Sequence, residues 1–100
     1  MIREHMNTTG HFITAKVMIN PQWSVEEGKL ALEAYCYKMR QEVGCTQALA
    51  LQDNIQPRCF ILWEHYESQS AHQQHFTQSH THEFINAGWV SLVEVMQTTI

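Results

Sequence analysis

Five of the seven histidines, His65, His72, His75, His80 and His82, fall between residues 63 and 84, and Glu64 stands among them. Imidazole titrates near neutral pH and is the side chain most often used to move a proton. A carboxylate beside it can orient the ring or hold the proton. Glu64 lies in the run Cys59 to Tyr66, whose aromatic and branched residues predict a strand. On a strand, Phe60, Leu62, Glu64 and Tyr66 share one face, and Cys59, Ile61, Trp63 and His65 the other. Both faces are mostly apolar, so this strand is expected to be central and covered on both sides. A carboxylate there needs hydrogen-bond donors or a cation, which a histidine on an overlying helix can supply. His75 is the candidate proton acceptor, Glu64 a base or the group that orients it, and His80 the third candidate. Each has a plainer alternative. Glu64 can be a paired structural acid, His75 a helix residue that caps or pairs, and His80 a residue that holds a kink. His72 and His82 read as a solvated face.

A metal site is a rival reading. His72 and His75 can share a helix face, His80 and His82 follow, and His65 is on the adjacent strand, so three of these with Glu64 could hold a divalent ion. No tight H-x-x-x-H or CxxC pair supports it, and the expectation is a site without metal. Trp63, Tyr66, Phe76 and Phe84 can line a pocket for a flat substrate, or simply pack in the core. No phosphate-binding loop, dinucleotide fingerprint or hydrolase elbow occurs.

The elements that position these residues follow from pattern. His11 to Ile19 is rich in branched and apolar residues and stops at Asn20-Pro21, which predicts a first strand. Ser24 and Glu27 have capping-box spacing for a helix running to about Gln41, with Gly44 as its stop. Cys45 to Gln52 is a second strand, and Asp53 to Pro57 a turn into the third. Gln69 to Gln78 and His80 to Ala87 form a broken second helix, capped by Ser68 or Ser70 and ended by Gly88. Leu92 to Thr98 closes the chain as a fourth strand. The order β-α-β-β-α-β is the ferredoxin-like α+β arrangement, a four-stranded antiparallel sheet with its helices on one face. The other face needs a cover, which a second copy of the chain can provide. Trp23 and Trp89 are candidates for the edge of that dimer.

Composition narrows the classes. Residues 1–10 read as a tail and 11–100 as one domain. An apolar fraction of 44% and a charged fraction of 16% exclude a disordered chain. A net charge of −4 leaves no basic footprint for nucleic acid. The longest apolar runs, such as Phe60 to Trp63, fall far short of the roughly 20 residues of a membrane helix. Nor does the N-terminus carry the apolar core of a signal peptide. Cys36, Cys45 and Cys59 are an odd, widely spaced set, as expected of reduced thiols in a cytoplasmic protein.

The run Pro57 to Ser68, followed by Ala71, His75, Ser79-His80 and Phe84, resembles the third strand and second helix of the antibiotic biosynthesis monooxygenase family. Gly44-Cys45 also matches, and the resemblance spans about residues 11 to 98. It implies a dimeric α+β barrel. Family members include cofactor-free oxygenases of quinols and polycyclic phenols, an isomerase and haem-degrading enzymes. Carried over by position, Glu64, His75 and His80 match recurring residues, and Tyr66 stands at a Trp-or-Tyr position. Haem degradation is disfavoured. The first strand has no Asn before its end, and Ile85 stands where the proximal histidine would be. The resemblance therefore implies a cofactor-independent monooxygenase-type oxidoreductase acting on a quinol-like or phenolic substrate. His75 and Glu64 would assist proton abstraction, and His80 and Tyr66 would place the substrate oxygen. The alternatives are an isomerase on the same fold or a non-catalytic small-molecule-binding dimer.

Overall fold

The computed structural model describes residues 10–100. All of the expected tail except Gly10 lies outside the described residues. The elements are β1 (His11–Ile19), α1 (Val25–Arg40), β2 (Cys45–Gln52), β3 (Cys59–Tyr66), α2 (Gln69–His75), α3 (Ser79–Ala87) and β4 (Val90–Thr98). The strands form one antiparallel sheet in the order β2-β3-β1-β4. This is the ferredoxin-like α+β fold, with the second helix in two pieces.

Local chemistry sets the helix ends. Ser24 accepts a hydrogen bond from the Glu27 amide at 3.0 Å, and Glu27 accepts one from the Ser24 amide at 3.0 Å, completing the capping box. Ser68, not Ser70, caps α2 by accepting from the Ala71 amide at 3.1 Å. α2 stops at His75, earlier than the apolar pattern suggests, because Phe76, Thr77 and Gln78 turn back on amide bonds to the carbonyls of Gln73, Gln74 and His75. Gly88, in the left-handed region at φ 69°, ends α3 as expected.

Gly44 does not stop α1. The helix ends at Arg40 with Gln41 as its cap, and Gly44 makes a left-handed turn at φ 88° into β2. β4 begins at Val90 rather than Leu92, because Val90 and Ser91 already pair with Ile19 and Met18.

The helices cover one side of the sheet. Ile13, Ala15, Val17 and Ile19 of β1, with Phe60 and Leu62 of β3, pack there against Leu32, Cys36 and Met39 of α1. β3 is central, and its alternation is as expected: Phe60, Leu62, Glu64 and Tyr66 are all buried on the helix side. The far side is uncovered. Leu49, Leu51, Met18 and Met96 are exposed, and β4 is exposed along almost all its length.

A Cβ at Gly44 would come within 2.6 Å of the Ala71 side chain. Gly44→Ala therefore combines left-handed backbone strain with overpacking between the α1–β2 turn and α2. A loss of roughly 1–3 kcal/mol is expected in denaturant unfolding. The loss should exceed that of Gly88→Ala, where the nearest foreign atom is 3.8 Å away.

Candidate active site

Three chain segments meet at Glu42. The residue lies in the turn after α1, yet its side chain is only 5% exposed. A carboxylate taken out of water must find donors. His75, in the last turn of α2, places Nδ1 at 2.9 Å from Glu42 Oε2 and 3.1 Å from Oε1. His80, in the first turn of α3, places Nε2 at 2.5 Å from Oε2. The α2–α3 break thus brings two imidazoles onto one carboxylate. Thr81 secures the break by donating its hydroxyl to the His75 carbonyl at 2.9 Å. On the other edge of His75, Nε2 meets the Tyr35 hydroxyl of α1 at 3.1 Å.

Glu64 lies close by on β3 but has a different partner. Its Oε1 accepts from the Tyr66 hydroxyl at 2.6 Å. Burial raises its pKa, the Tyr66 hydrogen bond and the charge of His75 lower it, and the Glu42 charge raises it again. The Tyr66 phenol is itself held well above its ordinary range by burial and then by Glu64. Glu64 therefore acts on His75 through space, while Glu42 makes the contact.

Pattern reasoning missed Glu42, Tyr35 and Thr81 as site residues. Tyr35 falls on the apolar face of α1, and Glu42 lies past the end of that helix with no motif to single it out. Glu42 is 33 residues from His75 and 38 from His80, so no local spacing joins them.

The other candidates distribute as follows. His72 is buried rather than solvated. It stacks 6.4 Å from His75 and lies tilted 5.0 Å from Tyr66, and burial pushes its pKa down to about 4. It is uncharged at neutral pH. His82 is exposed, as expected. Phe76 sets its edge against both His72 and His75 at 5.1 Å. Phe84 stacks flat on Tyr35, with centroids 4.0 Å and planes 4° apart. Trp63 and His65 lie on the opposite face of the sheet, where both pack on Phe12 and His65 meets Thr46. Neither reaches the cluster, so Trp63 lines no pocket with His75.

A cleft of about 370 Å³ runs between α1 and α3, with Ala34, Tyr35, Phe84 and Trp89 along it and His80, Lys38 and Glu83 at its polar positions. A second hollow of about 220 Å³ continues past His80 to Glu42, Gln41 and Gln78. His80, at 16% side-chain exposure, is the ring of the cluster that faces both spaces. His75, at 5%, is behind it. The arrangement can pass a proton from a group in the cleft to His80 and on toward Glu42 and His75. It can also offer three ligand atoms to a cation, since one donor each from Glu42, His75 and His80 lie within 4.8 Å of one another.

The model of the antibiotic biosynthesis monooxygenase family matches residues 12–87. The chain belongs to that family. Protein YJCS has the same fold at TM-score 0.81 and 24% identity, over 90% of this chain and 97% of that one. PA3566 of Pseudomonas aeruginosa has it at TM-score 0.81 and 23% identity, over 95% and 97%. SnoaB of Streptomyces nogalater, a cofactor-independent oxygenase, has it at TM-score 0.80 and 8% identity, over 92% and 93%. No curated protein sequence matches the chain.

Because Glu64 has its pKa raised in the fold, its ionisation opposes folding above its ordinary value of 4.5. Stability linked to this group is full below that value and falls as pH rises through the raised one. Glu64→Gln should therefore raise the melting temperature at pH 8, and the gain should vanish near pH 4.

Proposed function

We propose that this antibiotic biosynthesis monooxygenase family member is a cofactor-independent enzyme that deprotonates a phenolic or quinol-like substrate and lets it react with oxygen. The single observation that carries the reading is the hydrogen-bonded chain His80–Glu42–His75 opening on a cleft with aromatic walls. A flat ring fits against Phe84 and Trp89 with its hydroxyl toward His80. His80 takes the phenolic proton, and the buried Glu42 carboxylate stabilises the imidazolium that forms. His75 holds Glu42 in place, and Tyr35 holds His75. Glu64 and Tyr66 lie behind His75 and set the field around it. Roles thus shift from the sequence expectation, with His80 rather than His75 next to the substrate.

The substrate supplies the electrons. A hydroquinone gives two electrons and two protons to oxygen and leaves as the quinone with hydrogen peroxide, whereas in an anthrone, whose enol form carries the hydroxyl, the ring CH₂ of the neutral substrate becomes a carbonyl, one oxygen atom entering it and the other leaving as water. No organic cofactor or metal is needed for that balance. An apolar cleft favours the step by limiting water around the phenolate. The family match and the oxygenase description of SnoaB support the reaction class, and the geometry supports the residues.

The proposal includes a homodimer. The uncovered sheet face carries Leu49, Leu51, Met18 and Met96, and exposed apolar patches of this kind are sites of association. A stable pair needs roughly 1,000 Å² or more of buried surface. All three cysteines are buried and in no disulfide, which suits the reducing cytoplasm. No helix among the described residues is long and apolar enough to cross a membrane.

Oxygen uptake with an anthrone or a naphthohydroquinone tests the chemistry. His80→Gln should lower kcat/KM by at least about a hundredfold, the scale of a lost general base, while the melting temperature stays within a few degrees. Isomerisation of a hydroxyketone without oxygen uptake would reassign the reaction, and absence of any turnover in the wild type would leave a binding protein. Native mass spectrometry tests assembly. A mass of twice 11.7 kDa is expected, and Leu51→Glu with Met96→Glu should shift it to the monomer.

A further inference from the structure

We propose that Glu42, His75 and His80 also form a binding site for a divalent transition-metal cation of the zinc type, with two imidazoles and one carboxylate as ligands. The donors are already gathered. One ligand atom from each residue lies within 4.8 Å of the other two, although the three come from the turn after α1, the end of α2 and the start of α3. Zinc bonds of about 2.0–2.2 Å call for donors somewhat over 3 Å apart. Glu42 Oε2 stands 2.9 Å from His75 Nδ1 and 2.5 Å from His80 Nε2, so these two contacts lengthen by less than about an ångström to admit the ion, while the two ring nitrogens, within 4.8 Å of each other, settle at the same separation.

The surroundings suit a cation as well. A metal-bound histidine is usually fixed by a hydrogen bond at its other nitrogen. Tyr35 is 3.1 Å from His75 Nε2, on the side away from Glu42. With Nδ1 on the metal, Nε2 carries the ring proton and donates it to the Tyr35 oxygen. The hollow of about 220 Å³ bordered by Gln41 and Gln78 reaches both Glu42 and His80, which gives the ion an entry and room for a water ligand. The charges that face the site are Glu64, which interacts with His75, Glu83 along the adjoining cleft, and Lys38, which borders the hollow and opposes a cation.

Metal binding and proton transfer use the same lone pairs. No covalent bond to carbon changes when the ion enters. Each ring keeps one proton, on the nitrogen turned away from the metal. A bound ion therefore blocks His80 and His75 as proton carriers, and the site acts as a point of inhibition by divalent metal.

Isothermal titration of the full chain with zinc chloride, and visible spectroscopy with cobalt(II), test the site without any turnover, so the result stands apart from the fate of the oxygenase reading. One zinc per chain and a cobalt band of tetrahedral intensity are expected. His80→Ala, at a partly exposed position, should weaken the affinity at least tenfold. Tyr35→Phe should weaken it by about 10–100-fold, as expected for loss of a group that orients a ligand. Lys38→Met should tighten it. Circular dichroism on each variant separates lost ligands from lost fold. No binding by the wild type, or zinc bound as tightly by a folded His80→Ala as by the wild type, would overturn the proposal.

Discussion

The interaction on which the site depends is the burial of the Glu42 carboxylate. A charge with 5% of its side chain exposed loses its water, and only nearby donors make that position tenable. Two imidazoles supply them, and they arrive from opposite sides of the α2–α3 break. The break, the Thr81 hydroxyl that ties it to the His75 carbonyl, and the left-handed turn at Gly44 all serve one placement. A continuous helix over the same residues would give His75 and His80 a spacing of five, which points two side chains away from a common partner. The interruption is therefore a requirement of the geometry.

Two carboxylates lie near one imidazole, and their surroundings divide them. Glu42 receives ring nitrogens from His75 and His80, whereas Glu64 receives the Tyr66 phenol and is pushed up by burial. Such a division is how one protein keeps acids of one chemical type in different roles. The group in contact with the rings orients them, and the group behind them acts on His75 through its charge. His72, pushed down to about 4, adds no charge at neutral pH. It fills space between His11, Tyr66 and His75 as a ring.

Much of this was legible in the residue order. Period-two alternation along Cys59 to Tyr66 puts Glu64 and Tyr66 on one face and Trp63 and His65 on the other, and the sheet obeys it, but which face meets the helices is decided by the packing of α1 and was not legible. The Ser24–Glu27 spacing, a serine cap at Ser68 or Ser70 and Gly88 place the helix ends because each answers a local need for hydrogen bonds, and the structure chooses Ser68. Glu42 was not legible. Its meaning lies in contacts across 33 and 38 residues, and a lone acid past a helix end is ordinarily solvated. The burial of His72 was hidden for a related reason. A helix of seven residues offers too few turns for a polar ring to declare which face it occupies, and the packing of β1 and β3 decides it.

The open face of the sheet bears on the chemistry by where it is. Leu49, Trp63 and Phe12 lie on it, while the His80 cleft lies beyond the helices on the other side. A second copy seated on the open face would leave the cleft free to admit a substrate. It would also cover β3 on its second side, which is the strand that carries Glu64 and Tyr66. Association and catalysis would then be linked only through that strand. A substitution on the open face would reach the proton path by loosening β3 and the Tyr66–Glu64 hydrogen bond, and the Glu42–His80 contact, held between helices, would stay as it is.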